Sequence, residues 1–205
     1  MKFSKLSFLL FLAAISVFFS GMDSTTEAHS AGVDIKYRVV REPFEMFDVD
    51  RIKPSGERLL VASCGFIRVS WGDDIQDIHE LQLAIQGKEN LIFILDSKEI
   101  SDDAKSKFDK KGSLIAYART SGRLQGNLIY LLRDRVNYSE VEHVVAHEIG
   151  HNLGLADNDN PRSLMYSYIN DSQGADDVLL TQADKQEFCD IHHCNPEELD
   201  CPKDF

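Results

Sequence analysis

The chain has 205 residues, 27% of them charged, with 34 acidic against 22 basic side chains and a formal net charge of -12. That acidity weighs against nucleic acid as a partner, because a polyanion is repelled by a surface of its own sign. Internal repeats and low-complexity segments are absent, and the length suits one domain with a hydrophobic core.

Lys2 and Lys5 precede an apolar run from Leu6 to Phe19, which turns small and polar at Ser20-Gly21. This is the layout of a signal peptide, assigned to residues 1–28, with Gly21, Ala28 and Ser30 as alternative cleavage points. The run of about 14 residues is short of the roughly 20 that cross a bilayer, and no later segment approaches that length. A secreted or periplasmic protein with no stable membrane span after cleavage is expected, a retained anchor being the alternative. Residues 29–62 are charged and contain Pro43, Pro54 and Gly56, which reads as an N-terminal extension or short pro-segment before a domain at 63–205.

Phe66 to Trp71 alternates as a strand does, and Ile75 to Ile85 places apolar residues at 75, 78, 81 and 85, as a helix packed on a sheet requires. Leu91 to Leu95 is continuously apolar, which predicts a buried strand. Gly112 to Arg119 and Asn127 to Leu132, joined through Gly122 and Gly126, predict two more strands. Ser139 with Glu142 three residues on predicts a capping box for a helix from about Glu140 to Leu153. Thr181 to Asp184 predicts another cap, for a final helix to about Ile191. The four cysteines, Cys64, Cys189, Cys194 and Cys201, predict two disulfides in an exported chain. Three connectivities are possible, and at least one bridge is expected to tie Cys64 to the tail. Zinc binding by the C-terminal cysteines with His192 and His193 is the alternative, and it lacks paired C-x-x-C spacing.

Residues His147 to Asp157 read HEIGHNLGLAD. Four residues of helix advance about 400°, so His147 and His151 project from one face a turn apart and both imidazoles reach one ion. Glu148 falls beside them. Gly154 permits a sharp turn, since glycine adopts positive φ without steric cost, and the chain then brings Asp157 back as third ligand. A catalytic zinc keeps three protein ligands and leaves the fourth position to water, whose pKa falls to roughly 7. A carboxylate beside the first histidine is placed to take that water's proton and hand it to the departing amine, so Glu148 is the expected general base. Asp159 is a rival ligand at an offset two residues longer. His143, one turn before His147, is expected to be an ordinary helix residue, since three successive histidines on one stripe cannot all reach one ion.

Pro161-Arg162-Ser163-Leu164-Met165-Tyr166 places a methionine eight residues after Asp157. With that element, the chain from about Phe66 to Phe188 resembles the metzincin clan. The spacing from third ligand to methionine, with the P-x-x-L-M-Y wording, is most similar to the matrixin catalytic domain. The resemblance implies an α+β, zincin-like fold with a twisted mixed sheet, an antiparallel edge strand, an active-site helix, a Met-turn and a C-terminal helix. It implies a monomeric zinc-dependent endopeptidase with His147, His151 and Asp157 as ligands, Glu148 as base and Met165 as hydrophobic floor. A protein or peptide substrate would lie extended along the edge strand, paired by strand addition. Calcium is possible at Asp96, Asp102, Asp103 and Asp109, as in many matrixins, without an EF-hand pattern. Tyr166 and Tyr168 miss the offset of the astacin tyrosine and are read as packing residues.

The departure from the family lies at Asp157, where matrixins use histidine. The aspartate variant also occurs in some small secreted bacterial metzincins, which the motif resembles too. A carboxylate binds zinc at about 2.0–2.2 Å, but its charge leaves the bound water less acidic, which predicts a more alkaline activity optimum. The competing class is a non-catalytic zinc-containing module that grips extended peptides without cutting them.

Overall fold

A computed structural model describes residues 32–41, 49–99, 115–121, 123–166 and 180–200. The expected leader at 1–28, Cys201, Tyr168 and the start of the 112–119 strand lie outside the described residues. Five strands form one sheet: β1 (Val33–Val40), β2 (Ile67–Trp71), β3 (Asn90–Leu95), β4 (Ala116–Arg119) and β5 (Leu128–Leu132), in the order β2-β1-β3-β5-β4. The first four in that order run parallel, and β4 closes the sheet antiparallel to β5. Helices α1 (Pro54–Ala62), α2 (Ile78–Gln86), α3 (Val141–Asn152) and α4 (Gln182–His192) complete the α+β architecture. The sheet is mixed and its last strand antiparallel, as the zincin-like expectation required.

Alternation along the central strands divides the core in two. Leu91, Phe93 and Leu95 of β3 join Leu128, Tyr130 and Leu132 of β5 in a layer under Leu81 and Ala84 of α2. Ile92, Ile94, Ile129 and Leu131 face the other way, toward Val141, Val144, Val145 and Ile149 of α3 and Phe188 of α4. Both faces of β3 and β5 are therefore covered, which is why these strands read as unbroken apolar runs rather than alternating ones.

Residues before the expected boundary at 62 pack with those after it. β1 lies inside the sheet between β2 and β3, and Ile52 and Leu59 are fully buried in the same core as α3. The signal was present as alternation of Val33, Ile35, Tyr37 and Val39, but the intervening charges obscured it. Arg38 is ion-paired with Glu80 of α2 and with Glu89, so it is satisfied against the covered face rather than solvated on an extension. The strand at 67–71 is consequently the sheet edge opposite β4.

One helix start and one helix cap differ from expectation. α2 begins at Ile78 because the Asp77 carboxylate accepts the N–H groups of His79 and Glu80, both at 2.9 Å, while Ile75 bridges to Val40 as an extension of the sheet. The Ser139–Glu142 capping box is not formed. The N-cap of α3 is Glu140, already in helical conformation, because a preceding turn bonds the Glu140 N–H to the Asn137 carbonyl at 2.9 Å. At α4 the Thr181–Asp184 box forms as expected. Cys189 and Cys194 are joined by a disulfide and Cys64 is disulfide-bonded as well, so these thiols are consumed and the cysteine-zinc alternative is overturned. Among the described residues no helix is long and apolar enough to cross a membrane.

Candidate active site

Helix α3 packs its Val141, Val144, Val145 and Ile149 into the core and leaves His147 and His151 facing a shared space, their ring centroids 4.6 Å apart at 88°. Each ring is fixed by its Nδ1, at 2.9 Å from the Leu164 carbonyl for His147 and 2.8 Å from the Leu155 carbonyl for His151. A carbonyl oxygen only accepts, so Nδ1 carries a proton in both rings, and Nε2 is the nitrogen each ring presents to the space, a metal ligand once it has given up any proton of its own.

After Asn152 the chain leaves the helix in a Schellman turn: the Leu155 N–H donates to the Gly150 carbonyl at 3.0 Å and the Gly154 N–H to His151 at 2.9 Å. Gly154 takes a φ of +98°, the conformation that makes glycine necessary there. This reversal returns Asp157 to the histidines, with its Oδ1 at 3.3 Å from His147 Nε2 and 3.5 Å from His151 Nε2. Ligand atoms at roughly 2.0–2.1 Å from a tetrahedral zinc stand about 3.3–3.4 Å apart. The three groups, whose ligand atoms lie within 4.8 Å of one another, therefore match a zinc donor set in chemistry and spacing.

The rivals stand apart from this cluster. Asp159 is exposed and outside the group. His143 Nδ1 meets Arg58 Nη1 at 3.3 Å, and burial, reinforced by the charge of Arg58 and by His147, pushes its pKa down to about 4. Asp96 is engaged by Arg133 at 2.6 Å and Lys98 at 2.7 Å, while Asp102, Asp103 and Asp109 lie outside the described residues. Nothing among the described residues supports calcium.

Mutual electrostatics bind the cluster together. Burial pulls the His147 imidazole down, but the Asp157 hydrogen bond, the Glu148 charge and the Leu164 carbonyl outweigh it and leave it raised. His151 is lowered, by burial and then by His147. The hydrogen bond from His147 holds Asp157 low against the opposing effect of burial.

Glu148 is only 6% exposed. Burial lifts its carboxyl to about 7, with His147 pulling down, Asp157 adding to the rise and the Ala118 N–H on β4 pulling down. Its Oε2 is buried with no hydrogen-bond partner among the described residues, an arrangement rare in folded proteins unless a ligand or water completes it. The β4 backbone explains the Ala118 contact. The Leu132 N–H donates to the Ile115 carbonyl at 2.8 Å, so alternation directs the polar groups of Tyr117 and Arg119 at β5 and those of Ala116 and Ala118 toward the outer edge.

Met165 is fully buried beneath the helix. A Cβ on Gly150 would stand 2.4 Å from its sulfur, so the glycine inside the HEIGH segment is what admits the methionine. The turn carrying Met165 is tied to α4. Asp184 Oδ2 accepts the Ser163 hydroxyl, the Thr181 N–H and the Thr181 hydroxyl, each at 2.7 Å, and Oδ1 accepts Asn158 Nδ2 at 2.7 Å. The sequence marked Asp184 only as a helix cap; its reach to Ser163 and Asn158 needed the tertiary fold. Asp184→Ala strands several buried donors, each worth about 1–3 kcal/mol, and is expected to lower stability by on the order of 3 kcal/mol in chemical denaturation. Asp184→Asn, which keeps one acceptor oxygen, should recover part of the loss.

A family model described as Matrixin matches residues 79–193. Among solved structures, metalloproteinase-II from Bacteroides fragilis is similar, with a TM-score of 0.50 and 19% sequence identity. That match covers 87% of this chain and 60% of the other, so the chain spans less than two thirds of that structure's length, and the likeness is one of fold. Comparison with curated proteins finds no match.

Proposed function

The chain belongs to the matrixin family of zinc metallopeptidases, and on that premise we propose that it is a secreted endopeptidase whose zinc is held by His147, His151 and Asp157, with Glu148 as general base. The observation that carries this reading is the convergence of those three side chains beside a buried carboxylate whose second oxygen lacks a partner among the described residues. Zinc, when bound, supplies Lewis acidity toward a water and toward the scissile carbonyl.

The remaining chemistry belongs to the chain's own residues. Glu148, with a pKa raised to about 7, accepts the proton of the attacking water and delivers it to the departing amine, a task best done by a group titrating near working pH. The Ala118 N–H holds one side of that carboxylate, which orients it without neutralising it. The outward carbonyl of Ala118 and the outward backbone groups of Ala116 on β4 pair with a substrate in extended form while the Ala118 N–H stays on Glu148, so the strand that receives the peptide also positions the base. The signal-like N-terminus and the Cys189–Cys194 disulfide support an oxidising, extracytoplasmic location.

A zinc-containing module that binds peptides without cutting them is the competing reading. Keeping a carboxylate buried beside the donor set opposes folding, and neither metal binding nor strand pairing needs it, which favours catalysis. The test is cleavage of an unfolded protein before and after chelation. Activity should vanish on removal of the metal and return on addition of about one equivalent of zinc. Cleavage that persists in the fully demetallated chain would refute the proposal.

A further inference from the structure

One stripe of α4 runs along the whole segment that carries Asp157. At helical spacing, Asp184, Glu187, Ile191 and His192 lie on neighbouring turns of one face. His192 Nε2 meets the Leu153 carbonyl at 2.8 Å, and Ile191 lies over Gly154, where its Cδ1 would be 2.6 Å from an added Cβ. Glu187 Oε2 accepts the Ala156 N–H at 3.1 Å, and Asp184 holds the Asn158 side chain. The Asn158 N–H also donates to the Met165 carbonyl at 2.8 Å. The residues on either side of Asp157 are thus both anchored, Ala156 by Glu187 and Asn158 by Asp184 and the methionine turn.

An aspartate needs this more than a histidine would. Its carboxylate oxygen stands one bond nearer the backbone than an imidazole Nε2, so its main chain must approach the two histidines more closely. Asp157 is also half exposed, its side chain retaining 54% of its accessible surface, and it has little packing of its own to fix it. Resting on the assignment of Asp157 as a metal ligand, we propose that Glu187 is a positioning residue, whose hydrogen bond to the Ala156 N–H sets the backbone so that the short Asp157 side chain reaches the metal.

The test is zinc affinity, measured by competition with a chromogenic chelator, with Tm of the metal-free chain followed in parallel. Glu187→Ala should weaken zinc binding about ten-fold, the scale on which outer partners of ligands act, with little change in the metal-free Tm. Glu187→Gln retains an oxygen acceptor for the Ala156 N–H and should bind within about two-fold of wild type. In an Asp157→Ala background, Glu187→Ala should have no further effect, because there is no third ligand left to position. The Co2+-substituted wild type and Glu187→Gln should share one visible spectrum, from which Glu187→Ala departs.

Three results would overturn the inference. The first is wild-type affinity in Glu187→Ala. The second is a Glu187→Gln loss equal to that of Glu187→Ala, which would assign the effect to charge. The third is an undiminished Glu187 effect without Asp157. If instead Asp157→Ala alone binds zinc as tightly as wild type, the metal-site reading itself fails, and the two failures remain distinguishable.

Discussion

Glu148→Gln is expected to reduce peptide hydrolysis by roughly 10²–10⁴-fold, the contribution of a positioned acid and base, while the chain still takes up zinc. The separation follows from geometry. Glu148 is outside the His147, His151 and Asp157 donor group, and its partner is the Ala118 N–H on β4. The glutamine amide retains the shape and an acceptor oxygen but cannot carry the proton. A second readout comes from stability in the metal-free chain. The folded pKa of Glu148, about 7, lies above its ordinary value of 4.5, so the folded state binds this proton more tightly than the unfolded one. Its contribution is fully present below about pH 4.5 and is lost as pH rises through 7. Glu148→Gln should remove that descending component from a plot of stability against pH; an unchanged profile would mean that the carboxylate is not held as described.

Asp157→Ala is expected to weaken zinc binding by more than the roughly 10–100-fold that loss of an outer partner costs, and cleavage should fall with it. Two histidines would remain, each still oriented by its carbonyl, and neither supplies the missing donor. The metal-free fold should be barely affected, because Asp157 is half exposed and its contacts are with His147 and His151. Asp157→His is the informative companion. A neutral imidazole restores a donor and leaves more positive charge at the metal, so zinc binding should recover relative to Asp157→Ala and the pH optimum should move down from that of wild type. Isothermal titration with zinc and a pH–rate profile check both. Equal zinc affinity in wild type and Asp157→Ala would remove the carboxylate from the site.

How much of this was legible in the sequence depended on whether the information was local. The i, i+4 histidines, the positive-φ Gly154, the strands expected at 91–95 and 127–132 and the Thr181–Asp184 cap are each set within a few residues, and each is found within a residue of its expected bounds. The antiparallel placement of β4 and the burial of Met165 followed from family resemblance and hold in the fold. β1 is the least legible strand, because Asp34, Lys36 and Arg38 look like solvated charges until α2 supplies Glu80 as a partner for Arg38. Ser139 does not cap α3, because the turn at 137–140, invisible in composition, precedes the helix.

The supports of the site were the least visible part. Leu164 and Leu155 orient the histidines through backbone carbonyls, which no side-chain pattern encodes. Asn127, expected to open a strand, and Asn90, the first residue of β3, fasten the turn before β5: the Asn127 N–H donates to Asn90 Oδ1 at 2.9 Å, and Asn127 Oδ1 accepts the Ser121 N–H at 2.8 Å. Two polar residues opening apolar strands were the available signal, since a buried amide in such a place needs several partners. Asn90 and Asn127 are 4% and 0% exposed, which confirms that need.

The central claim is that this constellation cuts peptide bonds rather than merely holding them. The direct measurement is mass spectrometry of an unfolded protein incubated with the zinc-loaded chain, with zinc content determined in the same preparation. About one zinc per chain together with new termini at internal peptide bonds is the predicted result. One zinc per chain, with the unfolded protein bound but intact at every pH tried, would contradict it.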